Sequence, residues 1–107
     1  MIVVSTETVP GHRIREALGV VRGNTIRARH IGRDIVAQLR NLAGGEVREY
    51  TKLMGESREQ AMDRMVEEAE QLGADAVVCT RFMTSMVMTG AAEILSYGTA
   101  VRLEREG

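Results

Sequence analysis

The side chains with the most chemistry to offer are one thiol, two imidazoles, several thioethers and a run of guanidiniums. Cys79 is the only cysteine. With Arg81 two positions on, it can be read as a thiolate ligand whose ionisation a neighbouring cation assists. It can equally be read as a small apolar residue packed in a sheet, the usual place of an unpaired cysteine. His12 and His30 are 18 residues apart and His30 and Cys79 are 49 apart, so no chelating pair exists within one chain. Met83, Met86 and Met88 carry soft sulfurs suited to Cu(I), or fill a core or interface that lacks aromatic rings. Arg22, Arg27, Arg29 and Arg33 form a local basic group that can hold an anion or stand as a solvated or salt-bridged surface. Glu67, Glu68 and Glu70 fall near the end of a helical stretch, where the dipole disfavours them, and read as a solvated face. No Ser/His/Asp or Cys/His arrangement and no paired carboxylates stand out, so an enzyme is the least supported class.

These residues sit in a chain of 107, enough for one domain spanning 1–107 and one core. Hydrophobic content of 44% with 27% charge is that of a folded protein. A formal net charge of −1 gives no global field to recruit nucleic acid or a membrane surface. The aromatics are Tyr50, Phe82 and Tyr97, too few for a base-stacking platform. Lys52 is the single lysine, and the arginine excess reads as base composition of the genome. No apolar run approaches the roughly 20 residues of a membrane helix, and Met1–Pro10 lacks the basic start and apolar stretch of a signal peptide. The expected location is the cytoplasm.

The elements that must position those side chains are legible from period and punctuation. Ile2–Ser5 is a short β-branched strand, and Val9-Pro10-Gly11-His12 has the residues of a type II turn. An extended stretch follows from Arg13 to about Arg29, apolar on both alternations. Gly19 and Gly23 within it suggest a bulge or a close backbone approach, with the strand breaking near Gly23. Ile31–Ala43 has helical spacing and ends at Gly44-Gly45. A second helix runs from about Glu46 to Leu72, its stripe formed by Val47, Tyr50, Met54, Ala61, Met65, Ala69 and Leu72. Gly55 weakens that helix, and Ser57-x-x-Gln60 can start a fresh one, but the stripe keeps its phase across both. Gly73 closes the helix. Asp75–Met88 and Ala91–Glu104 are two strands joined at Thr89-Gly90. Strict alternation puts Ala76, Val78, Thr80, Phe82, Thr84 and Met86 on one face and Val77, Cys79, Arg81, Met83 and Ser85 on the other. The result is an α+β two-layer domain: a small antiparallel or mixed sheet with two helices on one face. The uncovered face is too apolar for a lone chain, which points to self-association.

The segments "GVVRGNTI", "GRDIVAQLRNLAGGEVREY", "EQLGADAVV" and "YGTAVRLE", in this order and spacing, resemble the YbjQ-like family over essentially the whole chain. The resemblance implies a dodecin-like subunit assembled into a ring, typically a pentamer, and a heavy-metal-binding label with a soft or transition metal ion as ligand. It carries over no catalytic residue. The chain departs from that label: it has no Cys-x-x-Cys and no His-x-His, leaving Cys79, His30 and His12 as the metal candidates and Arg22, Arg27, Arg29 and Arg33 as the anion candidates. Two functional expectations follow. One is a metal-binding homo-oligomer. The other is a non-enzymatic ring that holds a small or anionic ligand where subunits meet.

Overall fold

The computed structural model describes residues 1–27, 48–88 and 91–106. Strands β1 (Ile2–Val3), β2 (His12–Arg27), β3 (Ala76–Met88) and β4 (Ala91–Arg105) and helix α1 (Arg48–Gln71) form an α+β fold. The sheet order is β1-β3-β4-β2. β1 runs parallel to β3, while β3 and β2 flank β4 in antiparallel pairs. The expected helix at 31–43 and the turn at Thr89-Gly90 lie outside the described residues.

β2 does not break at Gly23. It is continuous because Gly23 makes room for the helix instead of turning the chain. A Cβ there would stand 2.2 Å from the Ala61 carbonyl oxygen and 2.4 Å from the Met65 amide nitrogen. The bulges lie earlier, with register shifts between Ile14 and Glu16 and between Ala17 and Gly19. Nor are both faces of β2 apolar in practice. From Val20 to Ile26 burial alternates cleanly: Val21, Gly23 and Thr25 are buried beneath α1, and Val20, Arg22, Asn24 and Ile26 are exposed.

α1 is one uninterrupted helix through Gly55. Ser57 starts no new helix. It is buried, and its hydroxyl donates to the Leu53 carbonyl at 2.8 Å. Its own carbonyl accepts from the Thr25 hydroxyl at 3.0 Å, tying helix to sheet. Ala61, Met65 and Ala69 are the buried centre of the stripe, and they face Val21, Val77 and Ala100. Leu72, expected on the stripe, is exposed. Gly73 has φ +76°, its amide bonds the Glu70 carbonyl, and the Ala74 amide bonds the Ala69 carbonyl. That pattern stops a helix on a left-handed residue without Cβ strain.

The faces of β3 depart from strict alternation. Cys79 adopts φ +55°, and the pairing with β4 shifts between Val78 and Arg81. One extra residue in a strand moves every later side chain to the opposite face. Before the bulge the alternation holds: Val77 packs under the helix and Val78 joins the core on the other side. Beyond the bulge Phe82 is paired with Ser96, whose hydroxyl lies 3.4 Å from the Met65 sulfur beneath α1. Phe82 thus does not share a face with Val78.

Candidate functional site

The face of the sheet away from α1 divides into two halves. The lower half is closed by the chain's own N-terminal arm. Val4 and Val9 pack there with Ala76, Val78, Val101, Leu103 and Cys79. The arm is stitched down by backbone bonds: the Val4 amide to Val77, the Thr80 amide to Val4, and the Cys79 amide to Thr6, each at 3.0 Å. Its return is the expected tight turn, with Gly11 at φ +82° and the His12 amide bonded to the Val9 carbonyl at 3.0 Å. The uncovered face expected from the sequence is therefore half covered. In the upper half, Val20 (65% exposed), Ile26 (59%) and Met83 (56%) remain open to solvent.

Between the halves runs a polar row. Arg22 on β2 and Arg81 on β3 both pair with Tyr97 on β4, which places all three across the sheet on the helix-free face. The Arg81 Nη1 donates to the Ser5 carbonyl at 2.8 Å and to the Thr80 carbonyl at 2.9 Å, so one end of this guanidinium is fixed to the arm. Nothing in the sequence signals this grouping: Arg22 and Arg81 are 59 residues apart, and the register that unites them depends on bulges in two strands.

The candidates within the described residues are scattered over the fold. Cys79 is half-buried in the bulge beneath the arm. His12 starts β2, its Nδ1 lying 3.2 Å from the Pro10 carbonyl. Arg22 is in the polar row. Arg27 closes β2 opposite Ala92. His30, Arg29 and Arg33 lie outside the described residues. Met83 and Met86 are both exposed, so neither fills a monomer core. Among the described residues no group of three His, Cys, Asp or Glu comes together as a metal donor set. A soft cation needs three or four fixed N or S ligands, and one described subunit does not supply them.

The acidic outer face of α1 holds Glu56, Glu59, Gln60 and Asp63 around a shallow open depression. At the foot of the sheet, Arg13 Nη2 bonds Glu104 Oε2 at 2.6 Å. This bond and the attraction of the pair hold the Glu104 carboxyl below its ordinary range and raise Arg13. Both groups are at the surface. Among the described residues no helix is long and apolar enough to cross a membrane.

Fold and surface together define a small α+β domain with one sheet face half open. A family model described as "Putative heavy-metal-binding" (YbjQ) matches residues 1–104, and the chain belongs to that family. Its relatives include UPF0145 proteins of Methanosarcina acetivorans (58% identical, covering 96% of this chain and 97% of the relative) and Archaeoglobus fulgidus (57%, 96% and 95%). A third, from Thermotoga maritima, is 55% identical over 98% of this chain and 99% of its own. A crystal structure from Pediococcus pentosaceus, described as a protein of unknown function of the DUF74 family, shares the fold. It aligns at TM-score 0.66 with 16% identity, over 97% of this chain and 98% of that one.

Proposed function

We propose that this protein is a non-catalytic, self-assembling binding module of the cytoplasm. Copies of the chain join into a dodecin-like ring, five being the expected number, and hold a small ligand on or beside the helix-free face. Its partners are further copies of itself and that ligand, not nucleic acid or membrane. The observation that carries this reading is the open upper half of the sheet, with Val20, Ile26 and Met83 exposed around strands that otherwise pack normally. Apolar side chains grouped in this way mark a surface that is covered in use.

A second copy is the fitting cover because, among the described residues, both sheet edges are open there. β2 is the outer strand on one side. On the other side β1 pairs only with Ala76 and Val77, leaving β3 beyond Thr80 without an outer strand among the described residues. An edge with free amides and carbonyls is a template for another edge, and one chain carries two. Light scattering after size exclusion, with native mass spectrometry, tests the proposal. A multimer near five copies is expected, and Leu95→Asp dissociates or precipitates it, since an unpaired charge is costly in an interface. A stable wild-type monomer at low micromolar concentration would end this reading.

A metal-binding function, which the family description suggests, is the second reading. The feature in its favour is the half-buried Cys79 thiol, which needs ligands from a neighbouring copy to complete a site. Titration with Zn²⁺, Cd²⁺ and Cu(I) is expected to give no saturable site tighter than about micromolar at one ion per chain. A site at that stoichiometry, lost in Cys79→Ser or His30→Ala while the oligomer survives, would establish the metal reading instead.

A further inference from the structure

We propose that the row Arg22–Tyr97–Arg81 is a binding site for a tetrahedral oxyanion of double charge, a phosphate group being the natural ligand. The proposal deepens the reading above by naming the ligand class. It rests on that reading only in taking the helix-free face as the working one.

Arg22 and Arg81 flank the same residue on adjoining strands. With neighbouring strands about 4.8 Å apart, their Cα atoms stand about 10 Å from each other. Two long side chains can close that span across Tyr97, whose hydroxyl is a further hydrogen-bonding group on the row. A guanidinium presents a planar fork matched to two oxygens of one anion. Arg81 is held at Nη1 by the Ser5 and Thr80 carbonyls, which leaves its other nitrogens oriented and unspent.

Among the described residues this charge has no ion-pair partner. The row on one side is Val20, Thr99 and Val78, and on the other Asn24, Leu95 and Met83. None carries a negative charge. The acid that β4 carries on this face, Glu93, is two residues along from Leu95, and its Oε2 accepts from Asn24 Nδ2 at 3.0 Å. The ion pairs among the described residues join Arg13 to Glu104 and Arg102 to Glu16, and neither involves the row. Both guanidiniums are exposed and reachable from solvent, and their backbones stand about 10 Å apart on either side of Tyr97. A divalent tetrahedral anion satisfies both guanidiniums at once, which a single carboxylate does less well.

Calorimetric titration of the intact protein at low salt tests this, with inorganic phosphate and glycerol phosphate as soluble probes. Vesicles of phosphatidylcholine with and without phosphatidic acid probe a lipid source. Saturable binding of a soluble probe is expected, weakened about tenfold in Arg22→Gln, the loss of one charged hydrogen-bonding partner. Tyr97→Phe weakens it less, and Arg58→Gln on the helix surface leaves it unchanged. Arg22 makes no described bond within the chain, so its variant folds as the wild type does, checked by the thermal midpoint. Binding of soluble phosphate alone assigns a free ligand, in keeping with a protein that has no membrane partner; added cosedimentation with phosphatidic acid vesicles assigns a lipid headgroup and overturns that exclusion. No binding to any probe overturns the proposal, as does equal weakening in Arg22→Gln and Arg58→Gln. Native mass spectra of the same samples report assembly separately, so loss of the ring and loss of the anion site are told apart.

Discussion

The two halves of the sheet share strands yet solve different problems. In the lower half, β3 and β4 lie between α1 and the N-terminal arm, and both faces are dry. In the upper half the same strands continue with one face buried under the helix at Thr25, Ile94 and Ser96 and the other open. Sixteen residues of β2 extend about 53 Å, while an arm of a few residues covers only the end nearest β1. The difference teaches that burial here is set by what lies over a strand and not by the strand's own apolarity. Val20 and Val21 are neighbours of one type, one 65% exposed and the other wholly buried.

The strongest test of the shared helix side is Gly23→Ala. The new methyl would collide with the backbone of α1 at Ala61 and Met65, and backbone cannot swing aside as a side chain does. Overpacking of this kind costs about 3 kcal/mol or more, so chemical denaturation should show a large loss or no folding. A variant as stable as the wild type would mean that α1 does not lie on the upper half at all.

The next test sets the open face of one half against the closed face of the other. Val9→Asp places a carboxylate under the arm, where Val9 is 7% exposed, and should cost about 2 kcal/mol or more. Val20→Asp, at an exposed site in the single chain, should change the stability of dissociated chain by no more than about 0.5 kcal/mol. Its effect should appear as weaker assembly in native mass spectrometry. Equal losses in the two variants would erase the distinction between the halves.

Much of this arrangement was legible in the sequence, for particular reasons. The α1 stripe at Ala61, Met65 and Ala69 has helical period, and Gly73 and Pro10-Gly11 are punctuation with a local mechanism. On β4, which has no bulge of its own, simple alternation puts Ala100 under the helix and Val101 and Leu103 on the arm side. What was not legible depended on contacts between distant segments. The bulge at Cys79 is invisible because cysteine has no special liking for a left-handed backbone. Gly23 has the same composition whether it turns a chain or admits a helix, and only the position of α1 decides. The arm could not be foreseen as a cover, because Val4 and Val9 become apolar lids only when a turn brings them back over Val78 and Val101. The Arg22–Tyr97–Arg81 row inherits both difficulties. The basic run around Arg22 was visible, but its partners across the sheet were not.

A smaller effect bears on the upper end of the comparison through α1. A Cβ added at Gly55 meets nothing within 4 Å, and the residue is in regular helix. Gly55→Ala should therefore raise stability by about 0.5 to 1 kcal/mol, by restricting the unfolded chain without crowding the folded one. A loss measured by denaturant unfolding would show that this end of the helix depends on a looser backbone than regular helix requires.

The smallest effect belongs to the foot of the sheet, where Arg13 and Glu104 pair across β2 and β4 in full contact with water. Glu104 has its carboxyl pKa lowered by the Arg13 hydrogen bond first and by the charge attraction second. A lowered folded value means that the unfolded chain takes up the proton first. The pair's stabilisation is then fully present above the unfolded carboxylate value of about 4.3 and fades as pH falls through the folded one. Raised Arg13 adds nothing in this window, because arginine stays charged throughout it. Solvent screens an exposed pair strongly. Glu104→Gln should accordingly leave the thermal midpoint at neutral pH within error of the wild type, and slightly flatten its decline below about pH 4.3. If Glu104→Gln lowered the neutral-pH midpoint as much as Val9→Asp, the foot of the sheet would be held by that ion pair and not by the arm and core above it.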